Sequence, residues 1–190
     1  MQTIRTFIAI ELDSAIQETI RHIEELLKKT GIDAKWVKPN DIHLTLKFLG
    51  DTPIDKIEPI VQIIQTTAQT SQIFSIELTQ LGAYPQIEKP RVIWIGVNRG
   101  RDETKKIVLL LKEELEKIGF VKEKRDFDPH VTIGRLRSAQ NHFALFKAIK
   151  EFQINPTITQ EVTHITFLKS TLTPQGPIYE TLQKIDFKKS

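Results

Sequence analysis

Two short phrases in this chain have residue types and spacing suited to proton transfer: His43-Leu44-Thr45-Leu46 and His130-Val131-Thr132-Ile133. Each runs histidine, aliphatic, threonine, aliphatic, and each reads as a β-strand. Side chains alternate faces along a strand, so histidine and threonine two positions apart point the same way. The aliphatic residues between them point to the other face, into a core. Two such strands on one cleft would offer two imidazoles and two hydroxyls to a single bound group. That set suits acid–base chemistry on a phosphate.

In displacement at phosphorus, the attacking oxygen loses a proton and the departing oxygen gains one. Two imidazoles, with ordinary pKa near ~6.5, divide this work at neutral pH: one is neutral as base, the other protonated as acid. The hydroxyls of Thr45 and Thr132 can donate to the non-bridging oxygens, where charge builds, although threonine is also an ordinary strand former. Arg135 could add a charge-assisted bond. Strict alternation turns it away from His130, and a bulge at Gly134 would turn it back. Lys47 shares the parity of His43 and Thr45. Asp128 shares that of His130, but Pro129 interrupts the strand between them. Phe48, Tyr84 and Trp94 are candidate stacking surfaces for a base, with core packing the expectation for Phe48 and Trp94. His22, His142 and His164 are read as structural or exposed. No metal is expected: each phrase pairs its histidine with a hydroxyl, a poor zinc ligand, and there is no His-x-His or His-Glu-x-x-His. Glycine-rich nucleotide loops are also missing, and no cofactor is expected.

The two phrases lie 87 positions apart, and Phe7-Ile8-Ala9-Ile10 stands at the same offset from Trp94-Ile95-Gly96-Val97. Each half carries an amphipathic helical stretch before its phrase. In the first, Ile16, Ile20, Ile23, Leu26 and Leu27 recur at helical spacing; in the second, Ile107, Leu110, Leu111, Leu115 and Ile118 do so. Gly31 and Gly119 are placed to end these helices as left-handed caps. After the phrases the pattern predicts helices over 53–70 and 139–152, then strands over 74–81 and 161–168, again offset by 87, and a closing strand over 178–187. The expectation is an α+β fold in one domain over 1–190. Its halves are roughly 1–87 and 88–174 plus the closing strand, related by a pseudo-two-fold. Such an axis would bring both phrases to one cleft.

Composition excludes several alternatives. Apolar residues make up 39% and charged residues 27% of 190, an ordinary globular balance. Cysteine is absent, which removes disulfides, thiolate ligands and a thiol nucleophile. No apolar run approaches the ~18 residues of a membrane span, and the N-terminus runs straight into a strand without a charged-then-apolar leader. A cytoplasmic protein with no membrane partner is expected. A net charge of +3 allows a local basic cleft but not a general nucleic-acid coat.

The context of the phrases carries a resemblance. The first continues as Lys47-Phe48-Leu49-Gly50; the second is preceded by Asp128-Pro129 and followed by Gly134-Arg135. With Arg5-Thr6-Phe7-Ile8-Ala9-Ile10 and Arg91-Val92-Ile93-Trp94-Ile95-Gly96, the chain resembles the 2H phosphoesterase superfamily over nearly its whole length. Within it, the chain is most similar to the RNA 2′,3′-cyclic phosphodiesterases, also called 2′-5′ RNA ligases. The resemblance implies a bilobal α+β fold, two mostly antiparallel sheets lining a central cleft, and helices outside. It implies His43 as proton donor to the leaving 3′-oxygen, His130 as proton acceptor from water, and Thr45, Thr132 and Arg135 as phosphate ligands. The partner would be RNA with 2′,3′-cyclic phosphate ends, tRNA fragments included, and the product a 2′-phosphate. A ribose 5′-hydroxyl in place of water gives ATP-independent 2′-5′ ligation. A monomer is expected. Two readings stay open beside this one: a phosphodiesterase for 2′-5′ oligoadenylate or a small cyclic nucleotide, and a non-catalytic RNA- or nucleotide-binding module.

Overall fold

The structure, a computed structural model, describes residues 2–121, 126–152, 154 and 158–188. Its elements are β1 (Thr3–Glu11), α1 (Ser14–Lys28), β2 (Ala34–Trp36), β3 (His43–Pro53), α2 (Ile57–Gln69), β4 (Phe74–Pro85), β5 (Pro90–Val97), α3 (Arg101–Lys117), β6 (His130–Leu136), α4 (His142–Glu151), β7 (Ile158–Val162), β8 (His164–Thr173) and β9 (Gly176–Asp186). Local chemistry fixes the joints. β1 gives way to α1 at Asp13, whose carboxylate accepts the Ile16 N–H at 2.8 Å and satisfies one of the free donors of the first turn. α3 ends at Gly119, with φ 90°; there the Phe120 N–H donates to Leu115 O and the Gly119 N–H to Glu116 O, both at 3.0 Å. This two-bond closure requires the left-handed residue that glycine supplies. Gly31 differs from expectation: it is left-handed, with φ 72°, but follows an added turn through Lys29 and Thr30 rather than capping α1 directly.

On α1 the buried stripe is Ile16, Ile20, Ile23 and Leu27, while Leu26 lies off it and is exposed. These residues join Ile60 and Ile64 of α2, Ile107, Leu111 and Leu115 of α3, and Leu145 and Ile149 of α4 in one core. Against them pack Ile8, Ile10, Leu44, Leu46, Ile93, Ile95, Val131 and Ile133, the aliphatic positions of the central strands. Each fully buried aliphatic side chain contributes about 2 kcal/mol by leaving water. One face of the sheet is thus committed to the helices. The other face carries the polar members of the two phrases.

The strands form a nine-stranded sheet in the order β7-β4-β5-β6-β3-β1-β8-β9, with β2 pairing β6 off this path, and every pairing between these strands is antiparallel. The two expected sheets are therefore continuous, but they meet narrowly, since β3 and β6 pair at Leu44↔Val131 alone. Beyond that point β2 takes the place beside β6, through Trp36↔Gly134, Lys35↔Arg135 and Ala34↔Leu136. This short strand, which has too few residues to show a period, separates β3 from β6 and opens the cleft. The predicted strand over 161–168 is broken between β7 and β8 at Thr163.

Candidate active site

His43 and His130 are the first residues of β3 and β6. In each ring Nδ1 lies 2.7 Å from the carbonyl oxygen two residues earlier, Asp41 O for His43 and Asp128 O for His130. A carbonyl only accepts, so Nδ1 carries the hydrogen in both rings and Nε2 is the nitrogen left for proton transfer. The Asp128 carboxylate is engaged elsewhere, with the Arg101 guanidinium at 2.8 Å. It is the backbone of Asp128, not its side chain, that orients His130.

Each ring is also flanked by aromatics. His43 lies against Phe7, with centroids 4.8 Å apart, and meets the edge of Tyr179 at 5.3 Å. His130 meets the edge of Tyr84 at 5.1 Å and the Trp94 ring at 6.0 Å. Trp94 packs flat on Gly82: a Cβ there would stand 2.2 Å from the indole, so only glycine leaves room for it. Burial pushes the His43 pKa down, because water no longer solvates its cation; the Asp41 carbonyl, then the Asp41 and Glu11 carboxylates, oppose the shift in part.

A cavity of about 460 Å³ opens on the free face of the sheet, lined by His43, Thr45, Thr132 and Arg135 among others. His130 shares the face of Thr132, two residues along β6. Alternation alone does not produce this gathering. Between Ala9↔Thr45 and Ile8↔Lys47 the pairing of β1 with β3 skips Leu46, and between Trp94↔Thr132 and Ile93↔Gly134 that of β5 with β6 skips Ile133. An extra residue on one strand reverses the parity beyond it. Arg135 is thereby turned onto the cavity, as a bulge next to Gly134 requires.

The same effect in β3 overturns two expectations. Lys47 does not share the face of His43. It pairs with buried Ile8, is 5% exposed, and donates from Nζ to Val121 O at 3.4 Å. Phe48 is not in the core; it is 59% exposed and lines the cavity. Tyr84 and Trp94 instead cover His130. His164 is mostly buried, its Nδ1 3.0 Å from Thr163 Oγ1 and its Nε2 3.6 Å from a Glu11 carboxylate oxygen.

Sequence reasoning missed other parts of the lining, among them Arg5 and Phe7 of β1, Lys35 to Lys38 around β2, and Tyr179 of β9. Arg5 and Phe7 are two apart on a strand adjoining a phrase, a signal that was available. β2 offered none.

An antiparallel sheet with helices on one face and paired His-x-Thr strands on the other is the architecture of the two-histidine phosphoesterases. Comparison with known proteins agrees. A sequence model described as LigT-like phosphoesterase matches the chain twice, over residues 10–94 and 95–179. The chain belongs to that family. Proteins named RNA 2′,3′-cyclic phosphodiesterase match over most of both chains. One from Methanothermobacter thermautotrophicus is 32% identical over 95% of this chain and 97% of its own. Another, from Thermotoga maritima, is 35% identical over 97% and 96%. The fold is that of Escherichia coli LigT in its apo form, with TM-score 0.82 at 22% identity and 100% coverage of both chains. It is also that of TT0787 from Thermus thermophilus, with TM-score 0.79 at 21% identity over 96% and 97%. No helix among the described residues is long and apolar enough to cross a membrane.

Proposed function

We propose that the protein hydrolyses RNA 2′,3′-cyclic phosphate ends to 2′-phosphate ends by general acid–base catalysis between His43 and His130. The observation that carries the reading is the matched pair of carbonyl-anchored imidazoles, each with a threonine hydroxyl on its own face. Relatives at 30% identity and above that are named for this activity support the substrate class. His130 Nε2 takes a proton from water as the water oxygen bonds to phosphorus. The bond from phosphorus to the 3′-oxygen breaks, and that oxygen receives the proton on His43 Nε2. The products are a 2′-phosphomonoester and a free 3′-hydroxyl. Thr45, Thr132 and Arg135 donate to the non-bridging oxygens, where the transition state gathers charge.

The lowered pKa of His43 fits an acid that works beside an anion. In the free cleft its cation is disfavoured by burial; a bound phosphodiester restores a compensating negative charge. The reverse reaction, attack of a ribose 5′-hydroxyl on the cyclic phosphate, uses the same groups and gives 2′-5′ ligation without ATP. The reading includes an internal duplication of about 87 residues, which the double family match and the two equally placed extra residues support.

The test is turnover of a 2′,3′-cyclic nucleotide by purified protein in chelator, with products followed by ³¹P NMR. A 2′-phosphate forming at full rate in chelator is expected. An intact cyclic phosphate, a 3′-phosphate product, or a strict need for added metal contradicts the proposal.

A further inference from the structure

Glu11 ends β1 directly opposite His43 of β3, so the two side chains leave the sheet on one face, their Cβ atoms about 5 Å apart. That face is the cleft's, since Phe7, of the same parity as Glu11, lines the cavity. On its other side β1 pairs β8, where Thr166 stands opposite Ala9 and His164 lies two residues before it. The buried Thr166 hydroxyl donates to the Glu11 carboxylate at 2.8 Å, and the same carboxylate oxygen lies 3.6 Å from His164 Nε2. Gln160 of β7 fixes the backbone here: its side-chain amide donates to Glu11 O and accepts the Asp13 N–H, both at 2.9 Å. His164 Nε2 is buried with no hydrogen-bond partner among the described residues, while Nδ1 meets Thr163 Oγ1. One tethered carboxylate thus stands between two imidazoles, one on each neighbouring strand.

We infer that Glu11 is a positioning residue for proton donation by His43: held by Thr166, its carboxylate is the shared counter-charge for which the imidazolium ions of His43 and His164 compete. This rests on the two-histidine reading and deepens it, because it says what keeps the donor loaded. Burial works against the cation of each ring, and a donor without its proton is idle. The Glu11 carboxylate opposes that loss in both rings. The other groups around them do not do both. Asp41, before β3, acts on His43 without acting on His164; Lys184 and Asp186 of β9 act on His164, the lysine against its cation. Tyr179 meets His43 by its ring edge, and Arg5 and Arg135 line the same cavity as cations. The Glu11 side chain is 43% exposed, so water screens its charge and the effect is modest.

Ring NMR titration of His43 and His164, with kcat/KM on adenosine 2′,3′-cyclic phosphate followed across pH, tests this. In Glu11→Gln both rings should lose their protons at lower pH than in the wild type, whereas in Asp41→Asn only His43 should move. Glu11→Asp keeps the charge and should titrate between Glu11→Gln and the wild type. His164→Gln removes the competing cation, so His43 should hold its proton to higher pH. The alkaline limb of the activity profile, where the donor loses its proton, should move to lower pH in Glu11→Gln. There kcat/KM falls several-fold above the optimum and stays near the wild-type value below it. Should Glu11→Gln fail to fold, the rise of His43 in His164→Gln decides alone. An unmoved His43 in Glu11→Gln or in His164→Gln, or a loss of activity equal at every pH, overturns the inference and leaves the phosphodiesterase reading standing. Absence of any turnover by the wild-type protein overturns that reading, and the inference with it.

Discussion

Strands β3 and β6 carry the same phrase, the same carbonyl anchor for Nδ1 and the same extra residue past threonine, yet their surroundings differ. His43 sits between Phe7 and Tyr179 beside a roomy cavity, and burial disfavours its cation; His130 sits between Tyr84 and Trp94, with Arg101 held nearby by Asp128. Past the extra residue one strand shows Phe48 and the other Arg135. The lesson is a division of labour. In the proposed mechanism, what the strands share supplies two proton-transfer groups of like geometry, while what they do not share would set the two histidines to different roles.

The largest effects fall on the shared part. His43→Ala and His130→Ala should each lower turnover on a 2′,3′-cyclic end by on the order of 10²–10⁴-fold, the usual worth of a general acid or base. Steady-state kinetics on both variants checks this, and near-full activity in either breaks the equivalence. The threonines come next. Thr45→Ala and Thr132→Ala should lower kcat by on the order of 10²-fold with smaller changes in KM, because their hydrogen bonds strengthen as charge develops. Arg135→Ala should move both constants, since a guanidinium also holds phosphate in the ground state. Phe48, at the equivalent position, holds no phosphate, so Phe48→Ala should not produce that pattern.

Titration sharpens the contrast. Followed by ring NMR, His43 should lose its proton below the ordinary histidine value, since burial dominates its shift. Tyr179→Ala, which opens one side of the ring to water, should move it upward, as should a bound nucleotide monophosphate. The sign for stability follows from the same fact. The folded state binds this proton less readily than the unfolded chain, so the contribution of His43 is present above the unfolded value and lost as pH falls from there through the lowered folded value. An unshifted His43 would contradict burial as the dominant influence on its cation.

The smallest effect concerns the anchors. Because the carbonyls of Asp41 and Asp128 hold the rings, Asp41→Asn and Asp128→Asn should each cost less than about tenfold in turnover, far below the loss expected for a catalytic group. The Arg101–Asp128 pair is about half exposed on each side and is worth only ~0.2–1 kcal/mol. A loss in either Asn variant approaching that of His→Ala would mean that a carboxylate positions the imidazole.

Much of this site was legible because period-2 alternation and a repeated phrase are local signals. The faces of His43, Thr45, His130 and Thr132, the helical stripes before each phrase, and the cap at Gly119 all follow from neighbours in sequence. Lys47 and Phe48 were misread because a single extra residue, Leu46, reverses parity, and nothing in the order Leu-Lys-Phe-Leu marks it. At Arg135 the adjoining Gly134 gave a hint, since its missing side chain leaves room for Trp36, 3.1 Å from where a Cβ would sit. The floor of the cleft was illegible for another reason. β2 and the β8–β9 hairpin reach it through pairings set by the whole sheet, and three residues such as Ala34-Lys35-Trp36 carry no pattern of their own.

The central claim, that His43 protonates the leaving 3′-oxygen while His130 activates water, is tested most directly by a cyclic substrate that needs no acid. In a 2′,3′-cyclic phosphorothiolate with sulfur at the 3′ position, the geometry is kept, but the departing thiolate is far more stable than an alkoxide. His43→Ala should then recover most of its lost kcat relative to wild type, while His130→Ala stays as impaired as on the oxygen substrate. Recovery in His130→Ala instead, or equal impairment of both variants on both substrates, would contradict the assignment.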